Sequence, residues 1–134
     1  MVVLRDERFA LRALEDVVYL RQQARAWAKE IGFSLVDQTK IVTAASELAR
    51  NTVEHGKGGI ARFTWISKNG KHGFRMDFTD SGPGIPDVEL ALQDGYTTGS
   101  GLGLGLSGAK RLMNEFSIES AVGKGTHVSV TRWR

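Results

Sequence analysis

The spacing of apolar positions along the chain switches between the period of a strand and the period of a helix. Residues 2–13 alternate loosely and are predicted to be extended. Over 15–31 the apolar positions are Val17, Leu20, Ala24, Trp27, Ala28 and Ile31, the three-and-four spacing of an amphipathic helix, and Gly32 is suited to stop it. Ser34 then stands as an N-cap with Asp37 three residues later, a variant of the capping box. A second helix is predicted over 35–54, with Ile41, Ala44, Ala45, Leu48 and Thr52 along one stripe and Gly56, Gly58 and Gly59 beyond its end.

Strand patterns return at 60–67 and 73–79, joined by a turn over Lys68, Asn69, Gly70 and Lys71. Asn-Gly between extended runs is a strong hairpin signal. Residues 81–103 hold both prolines and many glycines and are predicted to form one long loop, a length that points to function or mobility. A third helix is predicted over 104–116, then strands over 117–121 and 126–132 around a turn at 122–125. These elements assemble into an α/β two-layer sandwich, with three main helices on one face of a mostly antiparallel mixed sheet. No linker, repeat or low-complexity tract interrupts the 134 residues, so a single domain over 1–134 is expected.

Composition narrows the class. A hydrophobic content of 41% with 25% charged residues is that of a soluble globular protein. No apolar stretch approaches a membrane span, and the first residues carry no signal-peptide pattern, so no membrane association is expected. The absence of cysteine excludes disulfides and thiolate metal sites and fits a cytoplasmic location. Arg5, Arg8, Arg12, Arg21 and Arg25 cluster early, but Asp6, Glu7, Glu15 and Asp16 interrupt them and the net charge is only +3. A solvated or protein-contact surface is expected there, with no nucleic-acid partner. Trp27 has two readings, a core residue or part of a contact made by residues 14–31 with a partner or a second copy.

The densest chemical signal is the alternation of Gly99, Gly101, Gly103 and Gly105 directly before the third helix. Glycine allows a backbone to approach a ligand closely, and a helix N-terminus attracts phosphate. A Walker A loop is excluded because no matching string exists, and a dinucleotide fingerprint is excluded because no strand immediately precedes the glycines. On the second helix Glu47 and Asn51 lie four apart and share a face away from the apolar stripe. That face is either a solvated surface, with Arg50 bridging Glu47 and Glu54, or a site for a hard cation such as Mg2+. Asp80 continues the apolar face of Phe74, Met76 and Phe78 to the strand end. It either caps the turn at 81–84 or accepts a hydrogen bond from a ligand N–H such as an adenine amino group. Thr126 shares a face with Val128 and Val130, satisfied locally or completing a polar contact at the base of a purine pocket. His55, His72 and His127 are scattered and read as surface or structural residues.

In order and spacing, Glu47 with Asn51, Asp80 with Gly82 and Gly84, the glycine run, and Gly125 with Thr126 resemble the GHKL ATPase/kinase superfamily. The resemblance covers 47–126 motif by motif and implies a Bergerat ATP-binding fold. Little of the chain is expected to lie outside the ATP domain. This points to the free-standing anti-sigma-type serine/threonine kinases of stressosome switches.

The resemblance implies that Asn51 holds Mg2+ on the ATP phosphates and that Glu47 is the base or orienting carboxylate. It implies that Asp80 reads the adenine amino group, with Gly84 permitting close approach and Thr126 supporting that contact, and it places Gly82 among the nucleotide-binding residues. Gly99, Ser100, Gly101, Leu102 and Gly103 would close over the phosphates, and a lid over 92–103 is expected to be poorly ordered or displaced without nucleotide. The implied activity is phosphorylation of serine or threonine on a STAS-domain protein. The released kinase would then bind and activate a PP2C-type phosphatase, with weak homodimerisation also allowed. The alternatives are an anti-sigma factor that sequesters a sigma factor and a regulatory subunit that binds ATP without turnover.

Overall fold

In the computed structural model, which describes residues 1–93 and 105–134, the N-terminal extended pattern becomes β1 (Val2–Leu11) and the first helix is α1 (Leu14–Ile31). Asp16 starts α1 by accepting the Arg12 and Ala13 backbone N–H groups at 2.8 and 3.2 Å. Gly32 ends it in the left-handed region at φ 104°, a conformation that glycine adopts without a Cβ clash. Ser34 caps α2 (Leu35–Glu54) through the Asp37 N–H, as its position predicts. Then follow β2 (Gly59–Lys68) and β3 (Lys71–Asp80), joined by a two-residue turn with Asn69 and Gly70 both at positive φ.

The region predicted as one long loop contains α3 (Val88–Ala91), capped by Asp87 through the Leu90 N–H. Four residues are too few to register as a period. Of the expected lid segment, Leu92 and Gln93 close α3, and 94–104 lie outside the described residues. The third long helix, α4, is described over Gly105–Leu112 and ends short of the predicted 116. Asn114 terminates it, taking the Trp133 N–H on its side chain and giving its own N–H to the Thr131 carbonyl. Phe116 therefore belongs to β4 (Glu115–Ala121), which turns into β5 (Gly125–Trp133).

The five strands lie in the order β1-β2-β3-β5-β4, and all four pairings are antiparallel. Helices α1, α2 and α4 cover one face. Trp27 is 1% exposed and belongs to the core, not to an interface. It stacks on Phe74 at 5.5 Å and meets Phe63 edge-on at 5.6 Å, with the Arg5 guanidinium 4.3 Å from its ring centre. Arg132 ties the helices to the sheet, donating to the Leu112 carbonyl at the end of α4 and to Asp37 at the start of α2. Among the described residues no helix is long and apolar enough to cross a membrane.

The other sheet face carries ion pairs in place of helices. Asp77 is buried there among Arg75, at 3.0 Å, His127, at 3.0 Å, and Ser129. Burial pushes its carboxyl up, but the hydrogen bonds from Arg75, His127 and Ser129 outweigh that and hold it below the ordinary carboxylate value. A carboxyl lowered in the folded state adds stability above its unfolded titration range and loses it as pH falls through the folded value. Asp77→Asn is therefore expected to melt below the native protein at pH 7, with the gap closing below about pH 4 in thermal unfolding followed by circular dichroism.

Candidate functional site

The C-terminal half of α2 and the ends of β3 and β5 converge on a cavity of about 400 Å³. Leu48, Phe78 and Val128 contribute apolar lining, the kind of wall that small-molecule sites present. The polar lining includes Asn51, Asp80 and Thr126. One wall is the segment from Pro83 to Ala91, including α3, and Gly105 and Leu106 at the start of α4 close another side.

Each polar group is positioned by its element. Asn51 lies on the last turns of α2, one turn beyond Glu47. Asp80 is the last residue of β3, and the sheet register pairs it with Thr126, which in turn pairs with Ser120 of β4. The result is a row of one carboxylate and two hydroxyl side chains across three strands. Asp80 meets the local expectation in part: its Oδ1 accepts the Gly82 N–H at 2.9 Å. A carboxylate has room for about four such bonds, so most of its acceptor capacity is left for a ligand donor. Thr126 Oγ1 lies 2.7 Å from Ser120 Oγ, a side-chain partner that the sequence pattern did not identify.

Close backbone packing makes this row possible. A Cβ on Gly84 would lie 2.1 Å from the Ala121 carbonyl oxygen, and one on Gly125 would lie 2.1 Å from the Asp80 carbonyl oxygen. Both residues also have positive φ, at 78° and 85°. Gly82 does not line the cavity; it packs on the Gly56 backbone and donates to Asp80. Gly56 itself passes so near Asp80 that a Cβ would meet the carboxylate carbon at 2.4 Å. Gly56 was legible only as a helix-ending glycine, because nothing local reveals that another strand end will lie against it.

The remaining sequence candidates divide. Glu47 is 3% exposed, which removes the solvated-face reading for that residue, and it lies outside the cavity lining formed by the described residues. Helix α2 is covered by α1, the sheet and α4 together, so positions off its apolar stripe are buried as well. Gly99, Ser100, Gly101, Leu102 and Gly103 lie outside the described residues. His55, read from sequence as a surface or structural residue, lines the cavity at the end of α2. The signal for it was the continuation of the four-residue spacing from Glu47 through Asn51. His72 and His127 are structural, paired with Trp65 and Asp77 respectively.

Helices on one face of an antiparallel sheet, with a cavity of about 400 Å³ between α2 and the strand ends, define a two-layer α/β sandwich with a ligand-sized pocket. The chain belongs to the histidine kinase-like ATPase domain family, whose model matches residues 11–132. It is 46% identical over 118 residues to the serine/threonine-protein kinase RsbT of Bacillus subtilis, covering 88% of this chain and 89% of that protein. An anti-sigma F factor from Geobacillus kaustophilus is 31% identical over 128 residues, 90% of this chain and 86% of that protein. The mycobacterial sensor histidine kinase MprB shares the fold, with a TM-score of 0.56 at 15% identity, covering 96% of this chain and 97% of that one. The Bergerat architecture expected from the motifs is thus present.

The proximity of Gly56 to Asp80 yields a direct test. Gly56→Ala is expected to displace the carboxylate and weaken ADP binding by at least about tenfold in isothermal titration calorimetry. Undiminished binding would mean that the missing Cβ does not fix the place of Asp80.

Proposed function

We propose that this chain is a cytoplasmic ATP- and Mg2+-dependent protein serine/threonine kinase that phosphorylates a STAS-domain protein. The observation that carries the reading is the register row of Asp80 and Thr126 facing Asn51 across one cavity. Asp80 would accept the adenine amino group, with Thr126 beside it and Gly84 admitting the ring edge. The 46% identity to a protein named as a serine/threonine-protein kinase supports the transfer of phosphate to protein hydroxyls. Once released from its substrate, the kinase would bind and activate a PP2C-type phosphatase.

The donor set fits Mg2+. Among the described residues no group of three or more histidine, cysteine and acidic side chains could hold a metal alone. Mg2+ does not need one, because it keeps waters and phosphate oxygens and takes few protein ligands. Asn51 would be its protein ligand, and the ion when bound supplies charge neutralisation at the phosphates. Phosphoryl transfer is mostly positioning and electrostatic stabilisation. Asn51 would orient the phosphate chain along α2. Glu47, one turn earlier, would hold or take the proton of the acceptor hydroxyl. The glycines at 99–103 would close over the phosphates.

The anti-sigma F factor relatives support a second reading, sequestration of a sigma factor. Recovery of a sigma subunit with no STAS protein in a pull-down would favour it. The kinase reading is tested by incubating the protein with γ-labelled ATP, Mg2+ and a STAS partner. Native protein is expected to label the partner. Glu47→Ala is expected to retain ADP binding and lose transfer by about a hundredfold or more, the scale of a general base. Asn51→Ala is expected to lose both transfer and the Mg2+ dependence of nucleotide binding. Full labelling by both variants would remove these assignments.

A further inference from the structure

A second concavity, of about 330 Å³, lies at the opposite end of the sheet and is lined by Gly70, Lys71, His72 and Arg134. Lys71 and His72 begin β3 and Asp80 ends it, so one strand length, about 25 Å, separates this concavity from the cavity at Asp80. None of the four lining residues is acidic.

The donors there are held by the fold. The Trp65 indole N–H can only donate, and it donates to His72 Nδ1 at 3.0 Å. That lone pair is therefore used, and the neutral imidazole carries its proton on Nε2, where it is an N–H donor. Arg134 gives its backbone N–H to the His72 carbonyl at 2.9 Å and one guanidinium N–H to the Ile31 carbonyl, the last of α1, at 3.3 Å. The guanidinium also lies against Gly32, where a Cβ would come within 3.4 Å of Nε. A guanidinium has five N–H groups, so the bond to Ile31 leaves most of them for a ligand.

The charge at this end of the sheet is uncompensated. Among the described residues Lys68, Lys71 and Arg134 enter no ion pair. Lys68 and Lys71 stand directly opposite each other in the β2–β3 register, a like-charge pairing that costs stability unless an anion offsets it. Acids further along the sheet are already engaged. Arg5, opposite Trp65, holds Glu7 and Glu30, and Arg132, opposite Phe74, holds Asp37.

We propose that this concavity is a binding site for a phosphate group, separate from the cavity at Asp80. A carboxylate carries one charge and is met by a single arginine fork. Two cations and a neutral N–H donor from three different side chains match a tetrahedral group, which at pH 7 carries close to two charges. Arg134 and Lys71 supply the charge, and His72 Nε2–H supplies a donor to a further oxygen. Free phosphate and a phosphorylated protein side chain offer the same chemistry. The site does not depend on what fills the larger cavity.

The test titrates ¹⁵N-labelled protein with inorganic phosphate, with N-acetyl-O-phosphoserine methylamide, and with chloride at matched ionic strength. Saturable shifts are expected at the Gly70, Lys71 and His72 amides and at the Trp65 indole N–H, with and without ADP. Lys71→Gln and Arg134→Gln are each expected to weaken phosphate binding by about tenfold, the scale of one charge-assisted hydrogen bond. Lys124→Gln, on the exposed β4–β5 turn, is expected to bind as the native protein does. Tighter binding of the phosphoserine compound identifies a phosphorylated protein as the source, and tighter binding of inorganic phosphate identifies the free ion. The proposal is overturned by equal shifts with chloride, by native binding in both Lys71→Gln and Arg134→Gln, or by an equal loss in Lys124→Gln, which would make the effect one of net charge.

Discussion

The site depends on backbone packing directly against backbone around the last residue of β3. Three segments meet there: the end of α2 at Gly56, the turn after Asp80 at Gly82 and Gly84, and the start of β5 at Gly125. At each contact a single methyl group would overlap a neighbouring backbone or carboxylate atom. The strand ends can therefore approach α2 closely, and the cavity of about 400 Å³ lies between them. Asp80 is held at the centre of this junction by its own turn, through the Gly82 N–H. The same carboxylate that completes the turn also lines the cavity.

The two faces of the sheet divide the work. On the covered face, Trp27, Phe63 and Phe74 interlock and carry α1 and α2, and the helical register of α2 brings Asn51 and His55 to the cavity. On the open face, Asp77 with Arg75 and His127, and Asp6 with Arg62, pair in place of a second helical layer. Because neighbouring residues of β5 point to opposite faces, Thr126 serves the cavity and His127 the ion pairs. The Arg132 bridge from β5 to the ends of α2 and α4 keeps the helical layer in register with that strand. The geometry of the cavity is therefore coupled to the seating of both helices.

Much of this was legible along the chain. The periodicity of 15–31 and 35–54, the Ser34 cap, the Gly32 stop and the Asn69-Gly70 turn are local signals, and each element formed where its signal stood. The motif residues Asn51, Asp80, Gly84 and Thr126 were found by type and order, and the sheet register and α2 bring them to one cavity. Helix α3 and the early end of α4 were not legible, because four residues make no period and Asn114 ends α4 by bonding to β5, a strand from a later part of the chain.

By itself the sequence determined the element types, the family and the chemistry available to the site, because helix periods, caps, turns and motif spacings are set by neighbours within a few residues. Tertiary structure alone decided that Trp27 is core, that Glu47 is buried, that His55 lines the cavity, that Gly56 packs against Asp80 and that Ser120 lies beside Thr126. Those outcomes turn on which distant backbone lies within a few ångströms. Strand pairing and helix packing set that distance, and no local pattern encodes it.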